Sequence, residues 1–247
     1  MTNRERTERA RAELVPGLRS RGVPPSDPLF TLNAAAAPAG LAAARMALDG
    51  YRCAACGFVS RRYMMVWRHG TSARKLGDLR TLCRPCWQVM NLEAAAAARS
   101  AALIWLPEFS QVALNRLMPA LYAARVGRRA GASQPAQRLY GVFMERRAPA
   151  DEVIGCSGLA GMVDRLAGRA ADDPEAARLL GFFGQGLRLL PLDRWIVREE
   201  GLEFNQYPQM LAYWHSRKGP LVGAAERFPR IAHDWLCTLD APAELPV

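Results

Sequence analysis

The 247-residue sequence predicts an α+β fold in which a small β-containing module (ββα) is followed by a mainly helical region. Three observations carry this expectation. Cys53-Ala-Ala-Cys56 and Cys83-Arg-Pro-Cys86 form two tight knuckles with 26 residues between them. The apolar run Leu103–Leu106 is short and stopped by Pro107, as a buried strand is. Helix-start signals then recur at Ser110, Gln134-Pro135 and Asp172-Asp173-Pro174.

Residues 1–30 are charged and then rich in Pro and Gly, which reads as a mobile basic arm. The Ala-rich stretch Leu41–Leu48 predicts a short helix ended by Asp49-Gly50. The cysteine module runs from Tyr51 to Leu92, and with a flanking helix and strand it defines a region at 31–106. A helical region at 107–170 follows. Ser110 is placed to N-cap a helix through Leu114–Arg125, and Pro119 should kink or split that helix. Pro135 falls in the first turn of the next helix, where its missing N–H matters least. Leu139, Val142 and Phe143 share one face of it and should be buried. A shorter helix covers Leu159–Leu166. The last region, 171–247, reads as a C-terminal helical extension. Its first helix starts at Asp172-Asp173-Pro174-Glu175, with acidic groups at the positive end of the helix dipole, and runs through Leu190. Tyr207–Ser216 and Arg227–Leu239 supply two more helices docked by their aromatics.

Half of the residues are hydrophobic and the net charge is +10, a globular rather than a disordered composition. Residues 1–92 hold 15 basic and 6 acidic side chains, whereas 93–247 hold 18 and 17. The excess sits in the arm and the cysteine module and fits an acidic partner, nucleic acid or protein. The longest apolar stretch, Ala94–Leu106, is too short to span a bilayer and contains Arg99. The N-terminus lacks the apolar core of a secretory signal. Both features point to the cytoplasm, with membrane contact only indirect, through partners.

A C-x₂-C pair aims two thiolates at one point, and two pairs complete the tetrahedral S₄ shell that zinc accepts readily. Cys53, Cys56, Cys83 and Cys86 are accordingly the expected ligands of one structural Zn²⁺. An iron–sulfur cluster and four buried free thiols are the competing readings. Gly57, directly after the first pair, suits a turn that needs positive φ. Four protein ligands leave no coordination position for water, so such a site shapes the chain and hydrolyses nothing. Cys156 and Cys237 stand alone and read as small buried hydrophobes. His69, between the knuckles, is surplus to a four-cysteine shell, while His215 and His233 lie in aromatic-flanked helical segments and should pack. No Ser-His-Asp, Cys-His or paired-carboxylate arrangement, no P-loop and no G-x-G-x-x-G after a strand occurs. No catalytic or cofactor-binding residue is therefore assigned, and the chain is expected not to be an enzyme.

The same cysteine spacing serves zinc-ribbon or treble-clef binding modules and the HNH nuclease module, in which the knuckles brace a ββα-metal hairpin. Nuclease chemistry needs a His general base and groups for a catalytic cation. Gly70, Leu79, Leu82 and both knuckles echo that scaffold. Val66 and Trp67, however, stand where the His-His pair belongs, Trp87 stands for the final His, and His69 falls two residues late. The module reads as HNH-like without the nuclease residues.

Farther along, Leu103-Ile104-Trp105-Leu106-Pro107-Glu108-Phe109-Ser110-Gln111 and Leu114-Asn115 form an L-P-E-x-S-Q-x-x-L-N block. Ala136-Gln137-Arg138-Leu139-Tyr140 and Phe143 follow it. Together with the cysteine module, these residues resemble the IcmJ/DotN family of type IVB (Dot/Icm-type) secretion systems over about residues 51–166. The chain departs from that pattern in its Ala-rich stretch Glu93–Leu103, where a Gly-rich loop is expected. The resemblance implies an HNH-fold zinc protein without nuclease activity. It would be a cytoplasmic, non-enzymatic adaptor subunit of a type IV secretion or conjugation coupling complex, at the inner face of the inner membrane through its partners. Those partners are the C-terminal region of the coupling ATPase and other coupling-complex subunits, and the assembly helps recruit substrates. Docking of this kind normally places a helix or extended peptide in a groove. Trp67, Trp87 and Trp105 are candidate anchors, with Trp105, on its strand, better suited to the core. The alternative is an HNH endonuclease or nucleic-acid-binding zinc protein. Residues 51–92 carry eight basic side chains against Asp78 alone, about +5 once four zinc-bound thiolates are counted.

Overall fold

The computed structural model describes residues 14, 16, 39–68, 75–127, 131–169, 173–199 and 201–239. Nearly all of the arm expected at 1–30, along with His69 and Gly70, lies outside the described residues. Helix α1 (Ala39–Leu48) ends as expected at Asp49, which pairs with Arg45 one turn back. Strand β1 (Met64–Arg68) pairs antiparallel with β2 (Leu79–Cys83), Met64 lying opposite Cys83 and Arg68 opposite Leu79. Asp49 reaches across to this hairpin, its carboxylate accepting from the Thr81 backbone N–H at 3.2 Å. Two short helices, α2 (Arg84–Val89) and α3 (Leu92–Ala97), follow directly.

The short apolar run after them is a strand, β3 (Ala101–Trp105), with all five residues buried. Leu103 and Trp105 belong to one apolar cluster, while Ile104 and the following Leu106 belong to another. A strand with a core on each face needs a continuous apolar run rather than an alternating one. Its partner is β4 (Leu187–Pro191), antiparallel, with Ala101 opposite Pro191 and Trp105 opposite Leu187.

Between them lie α4 (Gln111–Val126), α5 (Ser133–Glu145), α6 (Arg147–Ile154), α7 (Gly158–Leu166) and α8 (Pro174–Gln185). Ser110 caps α4 by accepting from the Ala113 N–H at 3.2 Å, and Asp173 caps α8 through Ala176 at 3.0 Å. Pro119 does not split α4, which continues through it for two further turns. Leu139 and Phe143 are fully buried and Val142 half-buried.

The C-terminal region departs from its all-helical expectation. Helix α8 stops at Gln185, and the Leu-rich residues after it form β4 instead of further turns. Gly186 is the physical cause. It adopts φ +149°, and a Cβ there would stand 2.9 Å from Pro107 Cβ and 3.0 Å from the Trp105 ring. That close approach lets its carbonyl accept from the Leu106 N–H at 2.8 Å. A hairpin also intervenes, β5 (Ile196–Glu199) with β6 (Leu202–Asn205), before the two expected helices, α9 (Tyr207–His215) and α10 (Ala224–Leu239). The described residues thus form a mixed α/β fold, dominated by helix, with three two-stranded antiparallel sheets. The larger apolar cluster joins the four knuckle cysteines to Trp195, Trp214 and Phe228, so the knuckles are part of the main core. No helix among the described residues is long and apolar enough to cross a membrane.

Candidate metal centre

Each knuckle owes its shape to backbone hydrogen bonds. In the first, Arg52 and Val59 face each other in an antiparallel bridge. The Cys53 N–H donates to Phe58 O at 2.8 Å, and the Gly57 N–H donates back to Cys53 O at 2.9 Å. Gly57 takes φ +78° to close this loop, as its position after the second cysteine predicts. The Ala54 N–H donates to Thr81 O at 2.8 Å, which pins the first knuckle against β2. In the second knuckle, Cys83 ends β2 and serves as the N-cap residue of α2. Cys86 is three residues on, in the first helical turn, with Pro85 between them fixing the entry. An N-cap residue and the third helical residue project toward the same side, so strand and helix together aim both thiols at the first knuckle.

All four Sγ atoms lie within 4.8 Å of one another, and all four residues are buried. Cys56 Sγ and Cys83 Sγ are 3.5 Å apart. Zn–S bonds of about 2.3 Å in a tetrahedron place sulfurs roughly 3.8 Å apart. The cluster has the right size to hold one metal ion. The thiols perturb one another strongly. Hydrogen bonds from Cys56, Cys83 and Cys86 push the Cys53 thiol far below the ordinary range. Burial, with hydrogen bonds to Cys53, Cys56 and Cys86, pushes Cys83 up, and the hydrogen bond to Cys53 raises Cys86. A bound dication would take the place of the protons on these sulfurs.

Against the cysteines lies Asn115, the last residue of the L-P-E-x-S-Q-x-x-L-N block, whose task the sequence did not reveal. Asn115 is 1% exposed and donates through Nδ2 to Cys86 Sγ at 3.4 Å. Its Oδ1 accepts from Gln111 Nε2 at 2.9 Å. Gln111 in turn satisfies both backbone groups of Leu189, donating to its O and accepting from its N–H, each at 2.8 Å. Glu108 pairs with Arg146 at 2.7 Å. The signal was the i, i+4 spacing of Gln111 and Asn115 on a helix otherwise lined by buried apolar residues.

The remaining expectations divide. Trp87 and Trp105 are 4% and 2% exposed, and the Trp87 ring packs 6.2 Å from that of Trp195. Both are core residues and not surface anchors. Trp67 is half-buried against the same core. Cys156 is partly buried, in keeping with its expected packing role. Cys237, expected to be buried, is exposed, with its Sγ 3.7 Å from His233 Nε2. His215 and His233 are exposed as well. The reason is helical phase: Trp214 and Met210 on α9, and Ala232 and Leu236 on α10, take the inward positions and leave these three facing solvent. No protein-family model matches the chain, and none of the curated proteins matches it.

Proposed function

We propose that the four cysteines hold one structural Zn²⁺ within an HNH-like module, and that the chain is a non-enzymatic adaptor of a type IV secretion or conjugation coupling complex. In this reading it docks on the C-terminal region of the coupling ATPase and helps recruit substrates. Thiolates are soft ligands, and an S₄ set of this size favours zinc or an iron–sulfur site. Two C-x₂-C knuckles on separate elements are the commoner zinc arrangement. The order β1, β2, α2, with the second knuckle at the strand-to-helix junction, agrees with a ββα-metal scaffold.

One observation carries the family reading furthest. The most specific block of the resemblance ends at Asn115, and Asn115 donates to Cys86 Sγ. The block and the knuckles therefore act as one unit, which is what a shared family scaffold would require. Val66 and Trp67 are half-buried and Trp87 is buried, so the positions of nuclease chemistry carry packing groups. Exposed Arg52, Arg61, Arg62 and Lys75 around the module keep the nucleic-acid alternative worth testing.

The test is affinity capture of the tagged full chain from its native host, followed by reconstitution with the purified C-terminal segment of the coupling ATPase. The adaptor reading expects that ATPase among the captured proteins, a reconstituted complex, and one zinc per chain by elemental analysis. Recovery without the ATPase, together with divalent-metal-dependent DNA nicking abolished by His69→Ala, would replace it with the nuclease reading.

A further inference from the structure

Three residues around one cleft carry hydrogen-bond donors that nothing in the structure accepts. Nε and Nη1 of Arg84, Nε1 of Trp195 and Nε1 of Trp214 are buried and without a partner. Arg84 is only 7% exposed, and the two tryptophans 1% each. All three line a cleft between α2, α4 and α9 with a volume of about 280 Å³ including its open mouth. The room it leaves for the centre of a water-sized atom is only about 10 Å³, enough for roughly one.

The cleft itself offers Arg84 no acidic side chain. Its Nη2 donates to the neutral Gln206 Oε1 at 2.9 Å, and its guanidinium lies 4.2 Å from the Trp195 ring centre. Neither contact neutralises a buried cation, which ordinarily needs an anionic partner. The cleft lining includes a second arginine, Arg194, and no acidic residue. Although Arg84 follows Cys83 in sequence, none of its nitrogens is hydrogen-bonded to a sulfur.

We propose that this cleft binds a carboxylate, held by the unpartnered N–H groups of Arg84, Trp195 and Trp214. A single water offers two lone pairs to four orphan donors and brings no charge. A carboxylate offers about four acceptor positions and a full negative charge in the planar geometry that guanidinium prefers. One oxygen takes that room. The rest of the group lies in the open part, against Met118, Pro119, Tyr207 and Met210, walls suited to an alkyl stem. The one orphan acceptor on the lining, Gln88 Oε1, matches the amide N–H beside a peptide's terminal carboxylate, which a free carboxylate lacks. This site goes beyond the adaptor reading and does not depend on it.

The test titrates sodium acetate and, separately, N-acetylglycine into the metal-loaded full chain at constant ionic strength, following tryptophan fluorescence. A saturable change is expected. Arg84→Met weakens it at least tenfold with metal content unchanged. Trp214→Phe, which keeps a ring but removes the N–H, weakens it several-fold. Tighter binding of N-acetylglycine assigns the cleft to a peptide C-terminus, and equal binding assigns it to the carboxylate alone. If Arg84→Met does not fold, Trp214→Phe decides. No saturable response to either probe, or a response unchanged in the variants that fold, overturns the proposal.

Discussion

Replacing Asn115 with leucine separates the metal centre from the helix that braces it. The carboxamide makes two hydrogen bonds, to Cys86 Sγ and from Gln111 Nε2. Gln111 Nε2 keeps Leu189 O as an acceptor at 2.8 Å, so no donor is orphaned by the change. Leucine keeps the branching and the heavy-atom count but is bulkier, and at a site 1% exposed its neighbours must give way to it. The cost to the fold is therefore about 1–3 kcal/mol. The metal loses as well. An N–H donated to a bound thiolate offsets part of its charge, and removing such an outer-shell partner weakens metal binding 10–100-fold, about 1.4–2.7 kcal/mol. Competition for Zn²⁺ against a chromophoric chelator at fixed pH reads this directly, with thermal melting of the metal-saturated protein alongside. The expected result is a Kd raised 10–100-fold and a melting temperature lowered by a few degrees. A Kd within threefold of the parent's would refute this role for the Asn115 N–H.

Three other outcomes are expected. Stripping the metal with a chelator removes about 4 kcal/mol relative to protein held at a thousand times its Kd in zinc, lowering the melting temperature by roughly 8–16 °C; an unchanged melt would mean that the knuckles fold without it. Gly186→Ala forces a Cβ onto Pro107 and Trp105 at a backbone angle that L-residues avoid, and should cost about 2–4 kcal/mol in denaturant unfolding, whereas a loss under 0.5 kcal/mol would show the approach to be looser. Burial works against the Asp49 carboxylate, but hydrogen bonds from Arg45 and Thr81 more than offset it, so its folded pKa lies below the ordinary 3.8. A depressed carboxylate stabilises above its unfolded value and ceases to do so as pH falls through the folded one. Melting temperature should therefore fall less steeply from pH 5 to 3 in Asp49→Asn than in the parent, and parallel curves would count against it.

What could be read in advance follows from how local its cause was. Ser110, Pro135 and Asp173 act within one helical turn, and each opens a helix where expected. The Cys-x₂-Cys spacing is equally local, which is why the four clustered cysteines could be named from the sequence. The apolar run at 103–106 was recognisable because both of its faces are buried. Strand β4 was not, because its state is decided elsewhere. Leu187, Leu189 and Leu190 satisfy a helical pattern as well as a strand, and what selects the strand is β3, more than eighty residues earlier in sequence. The glycine between Gln185 and Leu187 was the available clue, but Trp105 and Pro107, which require it, meet it only in the folded chain. The β5–β6 hairpin had a weaker sign in Gly201, which takes φ +81° at the turn.

The same contrast explains why the L-P-E-x-S-Q-x-x-L-N block could be recognised before it could be explained. Pro107 ends β3, Glu108 anchors Arg146, Ser110 caps α4, Gln111 holds β4 and Asn115 reaches Cys86. Four of these five tasks involve a partner outside the block or a strand boundary, so no window of sequence displays them. Their joint effect is to fasten β4 and the second knuckle to a single helix start. Loss of Gln111 should therefore loosen β3–β4 while sparing the metal, whereas loss of Asn115 should do the reverse. A Gln111→Ala variant that lost zinc affinity as severely as Asn115→Leu would mean that the two act as one inseparable hydrogen-bonded unit, with Gln111 setting the Asn115 rotamer that the thiolate needs.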